Sequence, residues 1–183
     1  MDLSLDDFEV LISEDRIRER CRELGQEIRA AVGDGPLVCV GVLKGSFIFM
    51  ADLVRAIGGP LTCDFLRVSS YEGTRSTGNV RIEFDLTQPI EGADVLLIED
   101  IVDTGRTAEF LLQSFQVRQP RSLRFCSLLD KPERRVVEVP VDHVGFTIAN
   151  RFVIGYGLDF DGRYRDLPDI RALNPKKEAE LAH

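Results

Sequence analysis

After Ser13-Glu14-Asp15, apolar residues recur at Ile17, Cys21, Leu24 and Ile28. Intervals of three and four predict an amphipathic helix over 14–31, with a serine at its start and acids in its first turn. Gly33-Asp34-Gly35-Pro36 breaks it. Leu37 to Leu43 is an unbroken apolar run of strand length, the pattern of a strand buried on both faces. Ser46 to Ile57 reads as a second helix, apolar through Phe47, Ile48, Phe49, Met50, Leu53 and Val54, and Gly58-Gly59-Pro60 closes it. Leu61 to Val68 predicts another strand. Residues 69–79, SSYEGTRSTGN, are small, polar and glycine-containing, the composition of a mobile loop. From Arg81 to Leu86 the chain alternates, with Ile82, Phe84 and Leu86 on one face of a half-exposed strand. A strand over 94–100, a helix over about 106–118 and a strand around 122–129 follow. Residues 136–156 read as short strands interrupted by Pro140, and the C-terminal part reads as loop-rich.

This order of strands and helices predicts an α/β fold: a central parallel sheet flanked by helices, with a smaller added subdomain. The 183 residues suit one domain, and no repeat, linker or low-complexity tract divides them. In open sheets of this kind ligands lie beyond the carboxyl ends of the strands. Two segments, GVLKGS (41–46) and IEDIVDTGRT (98–107), fall at such ends.

Composition narrows the partners. A net charge of −8 argues against broad binding of nucleic acid or anionic membrane, which needs a basic surface. No apolar run approaches the roughly 20 residues of a membrane-spanning helix. The first residues, MDLSLDDFEV, are acidic and lack the basic-then-apolar order of a secretory signal, so a cytoplasmic location is expected. Cys21, Cys39, Cys63 and Cys126 are widely spaced within apolar stretches, with no CxxC pair, and read as buried thiols rather than a zinc site or disulfide frame. His143 reads as structural and His183 is terminal, so no nucleophilic triad forms around either. Of 23 basic residues only Lys44, Lys131, Lys176 and Lys177 are lysine, which makes the two internal ones exceptions in an arginine-rich chain.

The stretch 95–107, VLLIEDIVDTGRT, contradicts its own pattern. A buried strand delivers Glu99 and Asp100, and Asp103 follows three positions later. A lone aspartate there would read as a helix cap. Three carboxylates within five residues repel and desolvate one another, so something must neutralise them: a divalent metal, a substrate that develops positive charge, or donating hydroxyls. Thr104-Gly105-Arg106-Thr107 then offers successive backbone N–H groups and two hydroxyls at a helix N-terminus, a phosphate cradle that needs no lysine. Neither GxxxxGK[ST] nor GxGxxG is present. A phosphorylated ribose satisfies both halves.

VLLIEDIVDTGRT resembles the phosphoribosyl-diphosphate signature of type I phosphoribosyltransferases. Four further blocks, in order, narrow the resemblance to the bacterial hypoxanthine–guanine phosphoribosyltransferases. GVLKGSFIFMADL is similar to their diphosphate loop, SSYEGTRSTGNV to their catalytic loop, and LLDKPERR and FVIGYGLDFDGRYRDLP to their purine-recognition and closing segments. The likeness runs from about residue 8 to 170.

It implies the type I phosphoribosyltransferase fold: a core over about 30–130, and a hood from the N-terminal segment and about 135–170. It implies transfer of a 5-phosphoribosyl group to N9 of hypoxanthine or guanine, with Mg2+ as cofactor. Glu99 and Asp100 would engage the ribose hydroxyls and metal, Asp103 would serve as general base or acid at purine N7, and Thr104, Gly105, Arg106 and Thr107 would hold the 5′-phosphate, Arg106 through its backbone. Leu43, Lys44 and Gly45 would bind diphosphate, with a cis peptide between the first two. Lys131 would donate to the purine 6-oxo group, so adenine should be a poor substrate. Phe152 would stack on the base beside Val153, although the residues alone suggest ordinary core. Asp159 would stand near a second magnesium, and Arg165 would reach diphosphate, its alternative being a surface pair with Asp161 or Asp166. Ser70 and Tyr71, with Ser69, would head a lid that excludes water. A homodimer or homotetramer is expected. A different acceptor, xanthine or a pyrimidine, would use the same fold. A regulator that binds RNA or protein would be expected to lose Asp103 or the loop, or to gain a basic face, and this chain does none of these.

Overall fold

The structure, a computed structural model, describes residues 3–70 and 80–181, with the backbone alone at 70 and 179–181. In chain order the elements are β1 (Phe8–Ile12), α1 (Glu14–Val32), β2 (Leu37–Leu43), α2 (Phe47–Ile57), β3 (Leu61–Ser70) and β4 (Val80–Phe84). Next come β5 (Asp94–Val102), α3 (Arg106–Gln116), β6 (Ser122–Asp130), β7 (His143–Thr147), β8 (Val153–Ile154), β9 (Ile170–Leu173) and α4 (Pro175–Leu181).

The larger sheet has the order β4-β3-β2-β5-β6-β7. All its pairings are parallel except that of β4, which lies antiparallel to β3 at the edge. The unbroken apolar runs that mark β2 and β5 follow from cover on both faces. Along β5, Leu96 and Ile98 pack with Ile17, Leu24, Ile28, Phe49 and Leu53 of α1 and α2. Val95 and Leu97 point the other way and pack with Ala108, Leu111 and Phe115 of α3. The two-residue period of the strand thus feeds two cores, one on each face. The predicted helices and main-sheet strands form with ends shifted by a few residues.

A second sheet, β1-β9-β8, is antiparallel. The hydropathy pattern did not predict β1 or β9. The register of β1 shifts between Val10 and Ile12, so its alternation fails in mid-strand, and β9 has only four residues, one of them Arg171. Arg151 ties the start of β8 to β1 through Glu9 at 2.9 Å. Within 136–156 only β7 and the two-residue β8 are strands, and they go to different sheets. The segment expected as hood from about 135 therefore divides, with β7 completing the larger sheet.

Candidate active site

The carboxyl ends of β2 and β5 converge with the loop after β8. Glu99, near the end of β5, is buried, and no hydrogen-bond donor among the described residues reaches its Oε2. Burial, and secondarily the neighbouring Asp100, push its carboxyl well above the usual range. Burial also raises Asp100, to about 6, against the opposing pull of its own and Ile101's backbone N–H groups and the Arg165 guanidinium. The Ile101 N–H donates to Asp100 Oδ1 at 3.0 Å. Two adjacent acids thus lie where ionisation is disfavoured. A cation or donating ligand would reverse that.

Parallel pairing sets Gly41 of β2 opposite Ile98 of β5 and carries Leu43-Lys44-Gly45 over the acids. The Leu43–Lys44 peptide bond is cis. A Cβ added at Gly45 would lie 1.6 Å from Asp100 Oδ2, so only glycine lets the loop approach the carboxylate this closely. The carbonyl of Gly45 in turn sits where a Cβ on Gly157 would be, at 2.0 Å. Arg165 donates to Gly157 O at 2.6 Å and pairs with Asp159 Oδ1 at 2.6 Å. Its partner is thus neither Asp161 nor Asp166, and Arg165 and Asp159 enter the site as a pair.

Beyond Asp100 the chain turns into α3. Gly105 stands at the helix N-cap with φ 86°, and a Cβ there would lie 2.3 Å from Val137 O. A cavity of about 260 Å3 is lined by residues 99–105 with Thr107 and Ala108. Arg106 is exposed and does not line it. The cradle is therefore built from backbone and threonine hydroxyls at a helix N-terminus.

The other wall comes from the turn after β6. Lys131 is buried, and burial lowers its pKa, the charge of Asp103 opposing that shift and Arg134 adding to it. Arg134 Nε donates to Asp103 Oδ1 at 2.9 Å, and Arg135 Nη1 donates to Asp103 O at 2.9 Å while Nη2 pairs with Asp130. Phe152 is 41% exposed, edge-on to Phe160 at 5.8 Å between centroids, so it offers a face to solvent instead of filling the core. Val153 is buried in the core. The Phe152 N–H donates to Glu178 Oε1 at 3.2 Å, and Glu178 also acts electrostatically on Lys131. Nothing in the residue pattern marks Arg134, Arg135 or Glu178 as neighbours of Asp103, Lys131 and Phe152. The first two stand in the LLDKPERR block, and Glu178 lies in a tail whose composition gave no signal. Ser70 ends β3, and Tyr71 lies outside the described residues. Among the described residues no group of three or more His, Cys, Asp or Glu is placed to hold a metal ion unaided.

A mostly parallel sheet flanked by helices, with an acidic strand end beside a helix N-terminus and a second small sheet, defines the type I phosphoribosyltransferase fold. The profile of the phosphoribosyl transferase domain matches residues 13–161. The chain is 47% identical to a Staphylococcus aureus hypoxanthine-guanine phosphoribosyltransferase, across 92% of this chain and 94% of that one. A Listeria monocytogenes bifunctional protein, TilS/HprT, is 50% identical across 93% of this chain, which spans only 26% of that protein's length. A crystal structure of a Staphylococcus aureus hypoxanthine phosphoribosyltransferase superposes with a TM-score of 0.89 at 46% identity, covering 94% of this chain and 95% of that one. The chain belongs to the hypoxanthine-guanine phosphoribosyltransferase family.

Proposed function

We propose that the protein transfers the 5-phosphoribosyl group of phosphoribosyl diphosphate to N9 of hypoxanthine or guanine, giving IMP or GMP and diphosphate. The observation that carries this reading is buried Glu99, one oxygen unpartnered among the described residues, beside half-buried Asp100 and the N-terminus of α3. As the bond from ribose C1 to diphosphate breaks, positive charge grows on the sugar. Carboxylates next to it stabilise that state more than the ground state. Asp103 serves at purine N7 as general base or acid. Lys131, held buried, donates to the 6-oxo group, and Phe152 supplies a stacking face with Val153 behind it. Thr104, Gly105, Arg106 and Thr107 hold the 5′-phosphate, Arg106 through its backbone. Leu43, Lys44, Gly45 and Arg165 take the diphosphate, and Ser70 and Tyr71 complete the substrate site.

Glu99, Asp100 and Asp159 suit Mg2+. The unpartnered Glu99 oxygen supports this, and magnesium takes one or two carboxylates with substrate phosphates and water, so it needs no preformed protein cage. When bound, the ion neutralises charge on the departing diphosphate. The hood role falls to the small β1-β9-β8 sheet. A cytoplasmic location suits four cysteines that are all free thiols. We also assign a homodimer or homotetramer, since Phe47 at the start of α2 is an exposed large apolar residue. No helix among the described residues is long and apolar enough to cross a membrane.

A steady-state assay with phosphoribosyl diphosphate, Mg2+ and each of hypoxanthine, guanine, xanthine and adenine tests the reading. Turnover is expected with hypoxanthine and guanine and little with adenine. Asp103→Asn is expected to lower kcat by about 10²–10⁴-fold. Comparable use of adenine would remove the role given to Lys131, and unimpaired turnover by the variant would remove that given to Asp103.

A further inference from the structure

We propose that Arg134 is a positioning residue for phosphoribosyl transfer, gripping Oδ1 of Asp103 so that this carboxylate is oriented before the base arrives. The inference rests on Asp103 acting at N7, as assigned above. Isolated ion pairs at a surface contribute little, because ordering two long side chains offsets the attraction. The Arg134–Asp103 pair is about half exposed, with side chains 47% and 39% accessible, and would fall in that class if its ends were loose.

They are not. The N–H of Lys131 donates to Val102 O at 3.0 Å, and those of Val136 and Val137 both donate to Thr104 O, at 3.0 and 3.1 Å. Arg135 grips the carbonyl of Asp103 itself at 2.9 Å. Within the turn, Arg134 N donates to Lys131 O at 3.0 Å. These bonds clamp the turn after β6 onto the loop between β5 and α3, so Lys131 and Asp103 ride on one body. Rotation of the Asp103 side chain is the freedom left in that body, and the guanidinium of Arg134 restrains it. A group that transfers a proton works only within hydrogen-bond reach, and a misplacement of about 1 Å can cost about 10²-fold. Arg134 thus acts through Asp103 and leaves Oδ2 to the base.

Arg134→Gln, Arg134→Lys, Asp103→Asn and the double variant Arg134→Gln/Asp103→Asn are compared with the wild type by steady-state kinetics and thermal unfolding. Arg134→Gln is expected to lower kcat about tenfold, with KM for phosphoribosyl diphosphate changed less than about twofold and an unaltered melting temperature. Arg134→Lys should recover part of the loss, since an ammonium still pairs with the carboxylate. In the Asp103→Asn background Arg134→Gln should change kcat by less than about twofold, because positioning has nothing left to position. An equal loss in both backgrounds would make Arg134 a brace of the turn and overturn the proposal, as would an unchanged kcat in the single variant. If Asp103→Asn alone turned over like the wild type, the assignment of Asp103 would fall first. A crippled Asp103→Asn beside an unimpaired Arg134→Gln would sink this inference alone.

Discussion

Strand β5 carries acids at both ends, and the two ends are treated in opposite ways. Asp94, where the strand begins, accepts from Arg121 Nε at 3.0 Å and from Ser122 Oγ at 2.7 Å, and these donors hold its carboxyl down at about 2. Glu99 and Asp100, where it ends, are held above their usual range by burial. Each end also faces a serine of β6. Asp94 lies opposite Ser122, which donates to it, while Glu99 lies opposite Ser127, whose hydroxyl donates to Leu129 O at 2.6 Å instead. The serine opposite Glu99 thus directs its hydroxyl to a backbone carbonyl. One strand end is satisfied by donors within the chain, and at the other a buried carboxylate oxygen has no donor among the described residues. Buried polar groups left unpartnered are costly, so they mark places where something else supplies the partner.

Three substitutions would break or sharpen this contrast. The largest effect is expected from Gly45→Ala, whose new methyl would fall 1.6 Å from Asp100 Oδ2. Displacing either the loop or the carboxylate should lower kcat/KM for phosphoribosyl diphosphate by about 10²-fold or more, read by steady-state kinetics.

Asp100→Asn comes next, with stability as the readout. The carboxyl has an ordinary value of 3.8 and rises to about 6 in the fold. Between those values the native state holds the extra proton, so stability falls as pH rises through the window, and the full cost stands above about 6. The variant should therefore stabilise the ligand-free protein by up to about 3 kcal/mol at pH 7–8 in urea titrations. The gain should vanish below about pH 4. A destabilised variant at neutral pH would show that Asp100 is satisfied within the fold.

Asp94→Asn should do the reverse, and more modestly. Its carboxyl is depressed from 3.8 to about 2, so its contribution is fully present above 3.8 and lost as pH falls towards 2. Because Arg121 is largely exposed, the loss at pH 7 is expected to be about 1–2 kcal/mol, with turnover unchanged. A drop in kcat of equal size would end the division of labour between the two ends.

Much of this was legible in the sequence, for physical reasons. α1, α2 and α3 are marked by helical spacing or length, and β2 and β5 by unbroken apolar runs of strand length, so hydropathy finds them. Glu99, Asp100 and Asp103 announce themselves because they violate the pattern around them. What hydropathy hides is whatever depends on register or on irregular backbone. β1 loses its alternation at a shift between Val10 and Ile12, and β9 is too short to show one. The approach of Gly45 to Asp100 exists only once β2 and β5 have aligned. Phe152 and Val153 are adjacent in an apolar stretch, yet one faces solvent and the other the core. Arg165 had three aspartates within reach along the chain, and the turn at Gly162, whose N–H donates to Asp159 Oδ2 at 2.8 Å, helps to fix which one it meets.

The contact between Gly157 and Gly45 reaches beyond the chemistry. It is one of the points where the small sheet's loop meets the large sheet, and it is made of main chain on both sides. Such a seam is indifferent to the side chains around it, and its tolerance is the radius of a carbonyl oxygen. Drift of the surrounding surface would leave it intact, whereas one added methyl group would wedge the two sheets apart.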